Sequence, residues 1–165
     1  MFADDLTTGI AGKNIETSTA LLQELIRKLT GFATKNAFIF LSTKSTITLF
    51  ENKNSNTTPA IYINNIKREV VEIVKILGIT FDKKLTWLPH ILKLKADCRA
   101  RLNLIKVISN KTWGANQNVL RHTYLTIVRG KLDYGSIIYG TGKPYILKKL
   151  DPEKQGRSKN NHWGF

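Results

Sequence analysis

Between Pro89 and Ser109 the apolar side chains recur at helical intervals, and this pattern constrains the chain more than any other feature. Ile91, Leu94, Cys98, Leu102, Ile105 and Ile108 or Ser109 share one face of a 3.6-residue repeat, with Lys95, Arg99 and Lys106 stacked along its flank. A segment patterned this way is an amphipathic helix that lays its stripe on other elements and keeps cations toward solvent. Lys93, Lys95, Arg99, Arg101 and Lys106 fall within 14 residues. The helix can therefore be packed and still present charge to phosphates, contacts that hold a polyanion without reading a base sequence.

The charge of the whole chain has the same sign. Its 165 residues hold 26 Lys plus Arg against 12 Asp plus Glu, a net charge of +14, which points to polyanionic partners and first to nucleic acid. Residues 1–60 hold 6 basic and 5 acidic side chains and residues 61–165 hold 20 and 7, so the halves carry +1 and +13. The second half is where a polyanion is expected to bind. With 42% apolar and 23% charged residues, the chain is neither a disordered polar tract nor a membrane protein. No apolar run approaches the roughly 18 residues of a spanning helix, and Met1-Phe2-Ala3-Asp4-Asp5 does not read as a signal peptide. The expectation is an intracellular protein of nucleus or cytoplasm, not secreted and without a membrane partner. A lone Cys98 and three separated histidines, His90, His122 and His162, supply neither a disulfide nor a zinc cluster.

At roughly 150 residues per domain, the length suggests one domain or two small lobes. Asn14 or Thr17 can cap a first helix, with Leu22, Leu25, Ile26, Leu29 and Phe32 as its stripe. Phe38 and Phe40, then Ile47 and Leu49, alternate as two strands around a Ser42–Ser45 loop. Residues 51–60 are almost devoid of apolar side chains and mark the lobe boundary. Ile61-Tyr62-Ile63 and Val74 to Phe81 are rich in β-branched residues and read as a small antiparallel hairpin, bent at Gly78. Beyond the basic helix, a second helix runs from about Asn116 to Arg129, and Leu132 to Tyr139 is a third segment between glycines. Trp87, Trp113, Tyr134 and Tyr139 read as core aromatics rather than platforms for bases. The tail after Pro152 is polar and basic, and disorder is expected there.

Paired carboxylates on a tight turn are what a two-metal phosphoryl-transfer site uses, because two divalent cations about 4 Å apart need several converging anionic oxygens. Asp4-Asp5 supplies part of such a site. Read with its neighbours, the chain resembles the reverse transcriptase of non-LTR, LINE-like retrotransposons of the jockey-like kind. Phe2-Ala3-Asp4-Asp5 is similar to that family's Tyr/Phe-Ala-Asp-Asp box. Phe32, Phe38, Phe40, Lys44, Ser45 and Phe50 are similar to the next palm motif, with Leu41 in place of its first Ser. Leu77-Gly78-Ile79-Thr80-Phe81-Asp82 with Leu85, Trp87, His90 and Ile91 resembles the primer-grip hairpin entering the thumb. Trp113-Gly114-Ala115, Leu120, Tyr124, Arg129, Leu132 to Ser136 and Tyr139-Gly140 resemble the thumb helices. The ordered series spans about residues 2–152.

The resemblance implies an α+β fold: a partial palm over 1–58 with the Asp-Asp hairpin, helix and strands, a primer-grip-like hairpin over 59–87, a helical thumb over 88–152, and a basic tail over 153–165. It implies that Asp4 and Asp5 bind Mg²⁺, that Ala3 faces the primer terminus, and that Lys44 lies near the leaving pyrophosphate, where an ammonium can neutralise charge or donate a proton. Leu77, Gly78 and Ile79 would place the last primer nucleotides, and Lys93, Lys95, Arg99, Arg101 and Lys106 would hold the duplex backbone. The partners implied are an RNA template with a DNA primer, and the rest of a polymerase. The family's upstream palm aspartate and fingers have no counterpart in this sequence, so the expectation is a fragment of an RNA-directed DNA polymerase, inactive alone. The alternatives are a non-catalytic basic nucleic-acid-binding module and a decayed element product.

Overall fold

The computed structural model describes residues 6–51, 58–110 and 113–151. It is a mixed architecture of helices with small antiparallel sheets, α+β at this level. Ala3, Asp4 and Asp5 and the tail from residue 152 lie outside the described residues. The chain divides into two compact units, Met1–Gly78 with Asp82–Lys84 and Ile79–Phe81 with Leu85–Phe165.

In the first unit, helix α1 spans Ile15–Lys35. The side chain of Asn14 accepts from the Glu16 N–H at 2.8 Å, satisfying one of the amide donors that a helix start leaves unpaired. Leu22, Leu25, Ile26 and Leu29 are half-buried as their spacing predicts. The stripe then continues to Ala33, which is buried, and Phe32 stands exposed. Strands β1 (Tyr62–Ile63) and β2 (Ile66–Lys67) pair antiparallel, Tyr62 opposite Lys67 and Ile63 opposite Ile66. Asn64 and Asn65 between them both have positive φ, the backbone of the tight two-residue turn that Asn tolerates. Gln23 of α1 holds β1 in place of a further strand: its Oε1 accepts from the Tyr62 N–H at 2.8 Å and its Nε2 donates to the Tyr62 carbonyl at 2.9 Å.

Two expected strand pairings do not form. Phe38, Phe40, Ile47 and Leu49 do not form a pair of strands: Ser42–Lys44 is a short 3₁₀ turn and Ile47 makes an isolated parallel bridge to Val70. Strand formation needs a neighbouring ladder and an apolar face to cover, and Phe38 and Ile39 are exposed. The segments 61–63 and 74–81 do not pair with each other, because each turns back on its own nearest neighbour. Strands β3 (Ile73–Ile76) and β4 (Ile79–Asp82) form the second sheet, joined by Leu77 and Gly78 with φ of 48° and 84°. Gly78 meets the need for a left-handed residue in that turn without the steric cost a side chain brings.

The second unit is built on helix α2, Leu88–Ile108. Leu85 and Trp87 just before it both have positive φ, an uncommon conformation for large side chains. Trp87 is buried there and meets Phe81 edge-on at 5.1 Å. Pro89 lies in the first turn of α2, where its missing N–H costs no intrahelical bond. Helix α3 (Gln117–Thr123) starts at Asn116, whose side chain accepts from the Val119 N–H at 2.9 Å. It runs into a π-helical segment, Tyr124–Arg129, and then α4, Gly130–Asp133. The expected 132–139 segment is interrupted: the chain breaks at Tyr134-Gly135 and resumes as α5, Ser136–Tyr139. Helix α6 (Pro144–Leu147) and a 3₁₀ turn, Lys148–Leu150, follow. Ile91, Leu94 and Cys98 of α2 pack with Ile79, Trp87, Tyr124, Val128, Leu132, Tyr139, Ile146 and Leu150 in one core. The buried apolar residues of the first unit are, among the described residues, Ala33 and Ile61.

Candidate nucleic-acid interface

Helix α2 carries five cations and a single carboxylate, Asp97. Its core face is set by Ile91, Leu94 and Cys98, and the 100° step per residue then places every charge. Lys95, Arg99 and Lys106 fall along one flank, Lys93 points away from the core, and Arg101 lies on the opposite flank. Lys93, Arg99 and Lys106 are exposed and Lys95 is partly covered. A row of three cations at i, i+4 and i+11 covers about 16 Å of helix at 1.5 Å per residue, a length matched to successive phosphates rather than to one small anion.

Arg101 is used differently. Its Nη1 donates to the Ile127 carbonyl at 2.8 Å, joining α2 to the π-helical segment. A π turn shifts the backbone bonding pattern by one residue, and a guanidinium is a ready donor for a carbonyl within it. This is a role the spacing of the cations did not indicate. Arg129 pairs with Asp133 at 3.0 Å in the next helical turn.

The turn assigned to the primer by resemblance has two aspects. Leu77 and Gly78 are exposed at its tip, whereas the Ile79 side chain is buried in the core. Strand β4 is tied to α2 by His90, whose Nδ1 accepts from the Thr80 N–H at 3.3 Å. Burial holds the imidazole below its ordinary pKa, and the charges of Lys131 and Lys93 act in the same direction. Lys44 is exposed at the end of the 3₁₀ turn, its N–H donating to the Leu41 carbonyl at 3.1 Å.

Ala3, Asp4 and Asp5, the remaining predicted site residues, lie outside the described residues. Among the described residues no three His, Cys, Asp or Glu side chains gather as a metal site. The four aromatics expected in the core divide: Trp87 and Tyr139 are buried, while Trp113 and Tyr134 are exposed. Among the described residues no helix is long and apolar enough to cross a membrane.

One feature of α2 escaped the sequence pattern. Leu92, Ala96, Ala100, Leu104 and Val107 form a second apolar row, exposed and away from the core. Its signal in the sequence is the set of apolar residues interleaved with the basic ones, on the face opposite the first stripe. No protein-family model matches the chain, and no curated protein and no solved structure matches it.

Proposed function

We propose that this chain is part of a non-LTR retrotransposon reverse transcriptase, and that its second unit holds the RNA–DNA duplex by its phosphates. The observation that supports the reading is the charge on α2, five cations to one carboxylate, with Lys95, Arg99 and Lys106 on a flank the core leaves uncovered. Nucleotidyl transfer, with Mg²⁺ on Asp4 and Asp5, and Lys44 at the pyrophosphate, belongs to the proposal through the resemblance of the motifs. By the same resemblance, the Leu77-Gly78 turn is assigned to the primer end.

The test is the salt dependence of binding. Fluorescence anisotropy of a labelled RNA–DNA hybrid with the full chain is expected to show log affinity falling linearly with log salt, because each neutralised phosphate releases counterions. Lys95→Ala and Lys106→Ala should each reduce the magnitude of that slope by about 1. A slope that is flat, or unchanged in both variants, would overturn the reading.

A further inference from the structure

Helix α2 has two apolar faces, and among the described residues only one of them is covered. Leu92, Ala96, Ala100 and Leu104 follow one another at intervals of four, and Val107 continues the row. Leu92, Leu104 and Val107 are 50%, 64% and 62% exposed, and both alanines are exposed. Isolated exposed apolar side chains are ordinary on a protein surface, but five on one helix face over about four turns, with Asn103 and Lys93 between them, point to a contact site. Its shape is also defined. Leu92, Lys95, Ala96, Arg99, Ala100 and Asn103 line a shallow depression in which the two alanines form the floor.

We infer that this face receives an amphipathic helix of another protein, whose apolar stripe carries carboxylates along the side that meets Lys95, Arg99 and Lys106. Rows spaced by four residues are the ridges that interdigitate when two helices cross, and small residues at the centre allow the axes to approach to about 8–10 Å. The charge decides one flank of the partner: Lys95, Arg99 and Lys106 border the row on one side, Lys93 rises within the row and Asp97 lies beyond it on the other side, so Glu or Asp on the side of the partner's stripe that meets Lys95, Arg99 and Lys106 is complementary. The same charge argues against a second copy of the chain, which would bring its own Lys95 and Arg99 against these. Phosphates gain from the cations but nothing from Leu104 and Val107, so a duplex leaves this row bare. A lipid surface favours protruding aromatic and bulky apolar side chains, and this row is concave at its alanines.

The docking stands apart from the proposed duplex binding, except that both use Lys95 and Arg99. The experiment uses the full chain with three synthetic helical peptides: a Leu stripe flanked by Glu, the same stripe flanked by Lys, and Glu flanks with Ser in the stripe. The Glu-flanked Leu peptide should bind at least about tenfold more tightly than either of the others. A chain carrying Leu104→Ser and Val107→Ser should lose about tenfold of that affinity while its helical circular dichroism and its RNA–DNA affinity stay unchanged. Lys95→Glu with Arg99→Glu should weaken the peptide and the duplex together.

Equal binding of the Glu- and Lys-flanked peptides, or an unaltered peptide affinity in the Ser variant, would overturn the inference. So would loss of hybrid affinity in the Ser variant, which would give the row to nucleic acid. Two further results overturn it: binding of the wild-type chain, but not the Ser variant, to phosphatidylserine vesicles, and self-association of the wild type that the Ser variant abolishes. Failure of the duplex measurement alone would remove the proposed function and leave the docking intact.

Discussion

The Thr80 N–H donates to Nδ1 of His90 at 3.3 Å, so the neutral imidazole carries its proton on Nε2. Nε2 is buried with no hydrogen-bond partner among the described residues, and the ring packs on Tyr139 at 5.3 Å. The Tyr139 hydroxyl in turn donates to the Leu132 carbonyl. Through these contacts one side chain of α2 joins β4 to the segment that follows α4.

Protonation at Nδ1 would set two donors against each other, and burial with the charges of Lys131 and Lys93 already holds His90 below its ordinary value of 6.5. Above that value the imidazole is neutral whether the chain is folded or unfolded, and its contribution to stability is complete. As the pH falls below it, the unfolded chain takes up the proton first, so folding weakens until the folded imidazole titrates as well. The urea midpoint of the wild type should therefore fall between about pH 7 and 5.5, and His90→Gln should remove that part of the fall. A midpoint that rises on acidification, or an equal fall in the variant, would contradict the assignment.

Gly135 combines a φ of +71° with close packing, since a Cβ there would lie 2.5 Å from Cδ1 of Ile79. Gly135→Ala is expected to destabilise the fold by about 1–2 kcal/mol from the left-handed backbone alone, with the steric cost in addition. Ile79→Val removes Cδ1 and should cost about 0.5–1.5 kcal/mol. Because the valine opens the space the alanine needs, the double variant should be more stable than the sum of the two costs implies, by about 0.5 kcal/mol or more. Urea denaturation of the four chains measures this, and strict additivity would show that Ile79 is not the neighbour that requires glycine.

The two long helices differ in what covers them. Helix α1 buries Ala33 and leaves Leu21 and Phe32 exposed, while α2 buries His90, Ile91, Leu94 and Cys98. Amides that open only with a packed core exchange more slowly than those of a thinly covered helix. Hydrogen exchange should therefore protect the amides of residues 91–102 more strongly than those of residues 18–32. The reverse order would mean that the first unit is the stable one.

Features that neighbouring residues decide among themselves are legible before any packing is known. Of the two caps the first helix was expected to use, Asn14 or Thr17, Asn14 serves, the second helix begins at Asn116 as its pattern indicated, and the 3.6-residue period of Ile91, Leu94 and Cys98 identifies the face of α2 that is buried. The concentration of cations on α2 is also a property of the sequence. Caps and periods act over three or four residues, so they are legible without knowing the rest of the chain.

The remainder depends on residues distant along the chain and follows from how they pack. Phe38 and Phe40 alternate as a strand would and form none, since no ladder reaches them. Ile79 turns inward because Gly135, more than fifty residues later, leaves room for its side chain. Arg101 is drawn toward Ile127 by a π turn that no local period announces. Helix α2 has an apolar row on each side, and the choice between them falls to Tyr124, Val128, Leu132, Ile146 and Leu150, which cover Ile91 and Leu94 and leave Leu104 and Val107 exposed.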